Sequence, residues 1–228
     1  MDLVLVIVCA AIGAALAPAL TAVPQRVLRP QPTSPNGPVT EPGPASQATV
    51  PIALATAALW AAAAWRFGLS PTLPVHLVVW AALVVVTVID LDHKRIPDRL
   101  VFPTLAFAGL AMIGISLLDG DTDRLTRAGL GAAVYFVALF VPHLVYPRGM
   151  GFGDVKLALV LGLLLGWQTS SPDEAVRAVL SAMLLGSALG ALSGLALLVA
   201  RRRNDPFPFG PALVASTIIV LLAGVPVW

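Results

Sequence analysis

The chain alternates between long apolar runs and short polar breaks. Seven or eight runs approach the roughly 20 mostly apolar residues that a bilayer-spanning helix needs. They cover residues 3–23, 49–67, 72–89, 100–118, 126–146, 154–167, 175–200 and 210–227. The sixth run is short and fits as a tilted or slightly buried helix. None of them alternates in polarity at every second residue, as a β-barrel strand would. Backbone in hydrocarbon must satisfy its own hydrogen bonds, so the pattern predicts an all-α polytopic membrane protein, a bundle of about eight transmembrane helices. The first run begins Met1-Asp2, without the positive charge of a signal peptide, and it reaches spanning length. It is therefore predicted as a retained helix. Gly186, Gly190 and Gly194 recur four apart in the seventh run, a spacing that favours close helix packing.

One stretch breaks the pattern. Residues 24–48 hold seven of the chain's 20 prolines, together with Ser, Thr, Gln and Gly. Such a composition predicts a flexible or extended linker and no folded domain. The expected organisation is a first transmembrane helix over 1–23, a proline-rich cytoplasmic linker over 24–48, and a seven-helix membrane domain over 49–228.

Composition sharpens this picture. Hydrophobic residues make up 58% of the chain and charged residues 11%, against about 25% charged in ordinary globular proteins. Most of the surface is thus expected to meet membrane lipid. A net charge of +2 is too small and too scattered for a nucleic-acid footprint. The distribution of Lys and Arg among loops is more informative. With both termini outside, ten of the fourteen basic residues fall on the cytoplasmic side: Arg26, Arg29, Lys94, Arg95, Arg99, Arg148, Lys156 and Arg201 to Arg203. Arg66, Arg124, Arg127 and Arg177 fall outside. The Arg201-Arg202-Arg203 triplet reads as a topology anchor near anionic headgroups. The single cysteine, Cys9, lies inside the first apolar run. It excludes a disulfide framework and a cysteine metal site, and reads as a small buried hydrophobe.

Two carboxylates stand out. Asp90 closes the third apolar run, in Val88-Ile89-Asp90-Leu91-Asp92-His93-Lys94-Arg95-Ile96-Pro97-Asp98. Acids at membrane depth are functional candidates, and the competing reading is a helix-end carboxylate that reaches water. Asp154 opens the sixth run, in Gly149-Met150-Gly151-Phe152-Gly153-Asp154-Val155-Lys156. The glycines permit backbone conformations closed to other residues and leave a groove where a substrate backbone would lie. The competing reading there is an ordinary N-cap. Loop charge places both acids on the cytoplasmic side at similar depth. Two carboxylates brought together share one proton. One would take a proton from water while the other, protonated, polarises a scissile carbonyl.

These residues resemble a known family. Gly151-Phe152-Gly153-Asp154 is similar to the GxGD motif of intramembrane aspartyl proteases. Asp90 followed by Ile96-Pro97 and Asp98 resembles the other half-site of the type IV prepilin peptidase branch, rather than the archaeal preflagellin or presenilin-like branches. Phe207-Pro208-Phe209-Gly210-Pro211 resembles a third segment of that branch. The likeness covers about residues 72–225. It implies an aspartic endopeptidase of the bacterial cytoplasmic (inner) membrane with Asp90 and Asp154 as its catalytic pair. The implied substrate is a prepilin or pseudopilin precursor carrying a short basic leader ahead of a hydrophobic helix, cleaved after a glycine at the cytoplasmic face. Gly151 and Gly153 would shape the substrate site. Asp92, Asp98 and Lys156 lie beside the pair, as leader-binding groups or as solvated loop charges. His93 reads as a loop residue, and no role follows for His76 or His143. Longer members of the family carry a cytoplasmic zinc domain with paired cysteines and methylate the new N-terminus from S-adenosylmethionine. Residues 24–48 contain no cysteine, which excludes such a zinc site and weighs against methyl transfer; proteolysis itself needs no cofactor and no metal.

Two other classes compete. A proton-coupled membrane transporter using buried aspartates would distribute acids along the depth of the bundle, and no predicted helix carries one at its middle. A non-catalytic assembly component of a pilus or secretion machine would not need both aspartates. The sequence leaves the oligomeric state and the identity of the precursor open.

Overall fold

The computed structural model describes residues 3–27, 45–147, 150–199 and 208–224. Most of the proline-rich linker, Arg148, Arg201 to Arg203 and Phe207 lie outside these described residues. Among them the chain forms nine α-helices and no strand. The helices are α1 (Leu3–Ala15), α2 (Ala17–Val27), α3 (Ala45–Phe67), α4 (Leu73–His93), α5 (Asp98–Asp119), α6 (Asp123–Val145), α7 (Phe152–Trp167), α8 (Pro172–Val199) and α9 (Gly210–Ala223).

Among the described residues each predicted apolar run is helical, but the first is broken. α1 and α2 meet at Leu16 with a bend of 43°. Pro18 explains it, because its missing N–H removes one i→i−4 bond and its ring crowds the preceding turn. Among the described residues five helices are long and apolar enough to cross a membrane, and the bent α1–α2 pair makes a sixth if it is one span. α7 has 16 residues and α9 has 14, short of a bilayer crossing.

The chain divides into two compact units, Met1–Val85 and Val86–Trp228, with the boundary inside α4. In the first unit, α1 and α2 pack on α3. Gly13 sits where a Cβ would stand 3.1 Å from the Thr56 carbonyl oxygen. The Trp60 indole donates to the Leu77 carbonyl at 3.0 Å. His76 is fully buried. It stacks on Phe67 with ring centroids 3.9 Å apart, and its Nδ1 pairs with the Thr72 carbonyl at 2.9 Å.

In the second unit, α7 is the central element and packs against α5, α6, α8 and α9. A helix apolar on all sides belongs in the interior, and α7 is buried along most of its length. Its closest neighbour is α6. A Cβ on Gly162 would overlap the Gly131 carbonyl, one on Gly131 would overlap the Gly162 carbonyl, and one on Gly166 would overlap the Arg127 carbonyl. The two backbones touch along this seam, the arrangement that small residues four apart allow between membrane helices. The far end of α7 is pinned as well. The Trp167 indole donates to Ser116 Oγ on α5 at 3.1 Å, and the Arg124 guanidinium lies 4.4 Å over the Trp167 ring. Of the predicted glycine row on α8, Gly186 meets α9, where a Cβ would stand 2.9 Å from Ser216 Oγ, whereas Gly194 faces open space.

Candidate active site

The site lies in the second unit, where the end of α4, the start of α7 and the start of α9 converge. α4 runs one turn past its apolar residues and stops at His93. Lys94 then takes a left-handed conformation at φ 53°, its N–H bonded to the Asp90 carbonyl at 2.9 Å. Its ammonium folds back to the Leu91 carbonyl at 3.2 Å. Pro97 disfavours helical backbone at Ile96, so the chain stays extended until α5 begins at Asp98.

Asp90 is 5% exposed. It is not a helix-end acid reaching into water. Its Oδ2 accepts a hydrogen bond of 3.1 Å from the backbone N–H of Gly210, the first residue of α9. A Cβ at Gly210 would lie 2.8 Å from that same oxygen and 3.1 Å from Ile96 Cδ1.

Asp154 is 8% exposed and occupies the first turn of α7. It is not the N-cap. Gly151 holds that position, and Asp154 stands three residues on, its own N–H bonded to the Gly151 carbonyl at 3.1 Å. The dipole of the α7 N-terminus favours a negative charge there. Burial is the main influence on the Asp154 carboxyl, and the charge of Asp90 is the second.

Ile96 joins the two half-sites. A Cβ at Gly153 would stand 2.9 Å from Ile96 Cβ, and the far end of the same side chain reaches Gly210. One isoleucine thus rests against the residue before Asp154 and against the residue that bonds Asp90. This corrects the expectation for the glycines. Gly151 has φ −67°, an ordinary value, and Gly153 is not among the residues of positive φ. The Gly153 position demands space and not unusual backbone torsion. Gly151 is exposed, and a Cβ there would have only the Asp154 carboxylate and the Gly153 nitrogen nearby, at 3.5 and 4.0 Å.

The remaining candidates are placed differently from one another. Lys156, two residues beyond Asp154, pairs with Asp98 at the start of α5. Its ammonium also lies over the rings of Phe102 at 5.8 Å and Phe152 at 5.1 Å. Asp98 and Lys156 therefore tie α5 to α7. Asp92 and His93 are exposed in the last turn of α4. Among the described residues, no three His, Cys, Asp or Glu side chains come together as a metal-ligand set.

Three contributors escaped the sequence reading. Gly210 was legible only as part of a motif. His143, near the end of α6, pairs through Nδ1 with the Met150 carbonyl at 2.9 Å and packs on Phe152 with centroids 5.3 Å apart, so it holds the turn that leads into Asp154. The Gly131, Gly162 and Gly166 seam sets where α7 sits, and the Gly-x-x-x-Gly spacing of residues 162–166 was its available signal.

A family described as the type IV leader peptidase family matches residues 77–202. The chain is 36% identical over 173 residues to the prepilin leader peptidase/N-methyltransferase of Bacillus subtilis, covering 75% of this chain and 64% of that protein. It is 34% identical over 176 residues to the protein of the same name from Pseudomonas aeruginosa, covering 76% and 57%. With that of Neisseria gonorrhoeae the identity is 34% over 182 residues, covering 78% and 58%. The chain thus spans less than two thirds of the length of each of these relatives. No solved structure matches it.

Proposed function

The chain belongs to the type IV leader peptidase family, and from that premise we propose that it is a membrane-embedded aspartic endopeptidase whose catalytic pair is Asp90 and Asp154. The observation that carries the reading is the joining of two buried carboxylates through Ile96 and Gly210. Among the described residues no cation is bonded to either acid, and two buried acids held together can share a single proton.

In the proposed reaction one carboxylate takes a proton from water as its oxygen attacks the scissile carbonyl carbon. The protonated partner hydrogen-bonds the carbonyl oxygen as charge develops there. Collapse of the tetrahedral intermediate breaks the C–N bond, and a proton passes to the leaving amine. The pair acts as a unit, so neither aspartate is given a fixed role. The room beside Gly151 would take the substrate backbone, which must be extended to present its carbonyl, whereas the space at Gly153 is filled by Ile96.

The proposed substrate is a prepilin or pseudopilin precursor, with its basic leader outside the bilayer and its hydrophobic helix within it. Loop charge supports cleavage at the cytoplasmic face of a bacterial inner membrane with both chain termini on the opposite side. Asp92, exposed two residues beyond Asp90, is the acid proposed to meet a basic leader. Asp98 and Lys156 would act on the leader only by opening their mutual pair. No cofactor enters the cleavage. S-adenosylmethionine would be required only for methyl transfer, for which the cysteine-free linker offers no support.

The test is cleavage of a purified prepilin-like precursor by the purified chain in detergent, with Asp90→Asn and Asp154→Asn compared at matched folding. Full cleavage by both variants would overturn the reading.

A further inference from the structure

The connection from α6 to α7 leads directly into Asp154. α6 closes on a bond from the Tyr146 N–H to the Pro142 carbonyl at 2.8 Å. Pro147 follows and has no N–H, so the ladder cannot be extended to the His143 carbonyl. From Val141 to Pro147 every residue is exposed except His143, which is half-buried. Its apolar neighbours Leu144 and Val145 are 67% and 80% exposed. The polar imidazole is thus the side chain of this helix end that is drawn in, and what it meets is the Met150 carbonyl, 2.9 Å from Nδ1. A carbonyl oxygen only accepts, so Nδ1 carries the hydrogen, and the bond fixes the tautomer of the neutral ring. The ring also packs on Phe152 with centroids 5.3 Å apart, and the Lys156 ammonium lies 5.1 Å from the Phe152 centroid.

This bond holds one peptide unit. The peptide group is planar, so fixing the Met150 carbonyl fixes the N–H and Cα of Gly151 with it. Gly151 is the N-cap of α7, and its own carbonyl accepts from the Asp154 N–H at 3.1 Å. A Cβ at Gly151 would stand 3.5 Å from Asp154 Oδ2, so the same residue also borders the carboxylate. A path of two bonds therefore runs from His143 through two consecutive carbonyls to Asp154. Packing against Phe152 does not require it, because a phenylalanine at 143 would supply the ring without the donor. Gly151 and Gly153 flank Phe152 and give this turn much backbone freedom, which a bond from α6 restricts. We propose that His143 is a positioning residue of the site: its Nδ1–H holds the Met150–Gly151 peptide unit and so sets the Asp154 carboxylate for reaction. It touches no reacting atom. The neutral Nδ1–H tautomer and the imidazolium both donate from Nδ1, so the hold persists in either charge state. The effect on rate rests on the peptidase reading, whereas the hold on the turn does not.

Two substitutions separate the donor from the ring. His143→Phe keeps an aromatic ring for Phe152 and removes the donor. His143→Asn removes the ring and keeps an N–H close to the place of Nδ1. The first measurement is hydrogen exchange of the segment 150–156 in the full chain in detergent, read by mass spectrometry. Exchange should be several-fold faster in His143→Phe and near the unmodified rate in His143→Asn. The second is cleavage of a prepilin-like precursor. kcat should fall roughly 10-fold in His143→Phe with KM unchanged, short of the roughly 10²-fold of a 1 Å misplacement, and His143→Asn should recover most of it. Thermal unfolding midpoints should run the other way, since His143→Asn gives up the ring packing that His143→Phe keeps. Unchanged exchange in His143→Phe would overturn the hold on the turn. Faster exchange with unchanged kcat would overturn its effect on Asp154. Equal losses in the two variants would assign the effect to the ring and overturn the proposal as well. An unmodified chain that cleaves no precursor, with the expected exchange pattern among the variants, would count against the peptidase reading and leave the hold standing.

Discussion

The amide of Gly210 bonds the carboxylate of Asp90 at 3.1 Å, across a sequence separation of 120 residues. No side chain intervenes, because a Cβ at Gly210 would occupy the space of the carboxylate itself. Gly210→Ala should therefore push Asp90 out of register. A misplacement of about 1 Å costs a reaction about 10²-fold. The expected outcome is a fall of that order in kcat with normal membrane insertion. Unchanged turnover in Gly210→Ala would show that this bond does not set the geometry.

Either aspartate should be indispensable. Members of a catalytic unit are strongly non-additive, so Asp90→Asn, Asp154→Asn and the double variant should each lose activity by a similar factor, on the order of 10⁴-fold. The measurement is initial cleavage rate at saturating precursor. Losses that multiply in the double variant would indicate two independent groups.

A pair that shares one proton works in only one of its protonation states. The rate profile should be bell-shaped, falling at low pH when both carboxylates are protonated and at high pH when neither is. A profile that rises to a plateau with no second limb would argue for a single ionising group.

Ile96 should act on both half-sites at once. Ile96→Ala removes the packing against Gly153 and Gly210 together, at a cost of about 1–3 kcal/mol in stability for a half-buried side chain. Activity should fall more than stability does, and Ile96→Val should recover most of it. The comparison needs cleavage rates beside thermal unfolding midpoints. Equal loss in the Ala and Val variants would mean that bulk at this position is not what matters.

Lys156 and Asp98 should behave as partners. The pair is partly exposed, so its direct contribution is about 0–1 kcal/mol, with the aromatic faces of Phe102 and Phe152 adding to the hold on the ammonium. Asp98→Lys and Lys156→Asp should each impair the chain, and the doubly exchanged variant should recover. If Asp98 instead contacts a basic leader, KM will rise in Asp98→Asn whether or not Lys156 is present.

Much of this arrangement was legible in the sequence because it is local. Apolar run length located the helices, and Asp90 and Asp154 stood out as acids at the ends of such runs. The break at Leu16 was written in Pro18, though run length concealed it. What escaped depends on contacts between distant segments. Ile96 and Gly210 were legible only as letters of two separate motifs, and their meeting shows only when α4, α7 and α9 are brought together. Likewise Lys156 and Asp98 read as two independent loop charges, since nothing in either local pattern announces that they meet. The glycines before Asp154 suggested unusual torsions, but Gly153 serves by lacking a side chain against Ile96.

The backbone seam between α6 and α7 bears on how the protein meets bilayers of different thickness. At 1.5 Å per residue, α7 is about 24 Å long, shorter than a hydrocarbon core of about 30 Å. Alone it would have no preferred depth. Joined to the 23-residue α6 along Gly131, Gly162 and Gly166, it would tilt and rise as α6 does. Hydrophobic mismatch would then be absorbed by the pair as one body, and the level of Asp154 relative to the headgroups would follow the longer helix.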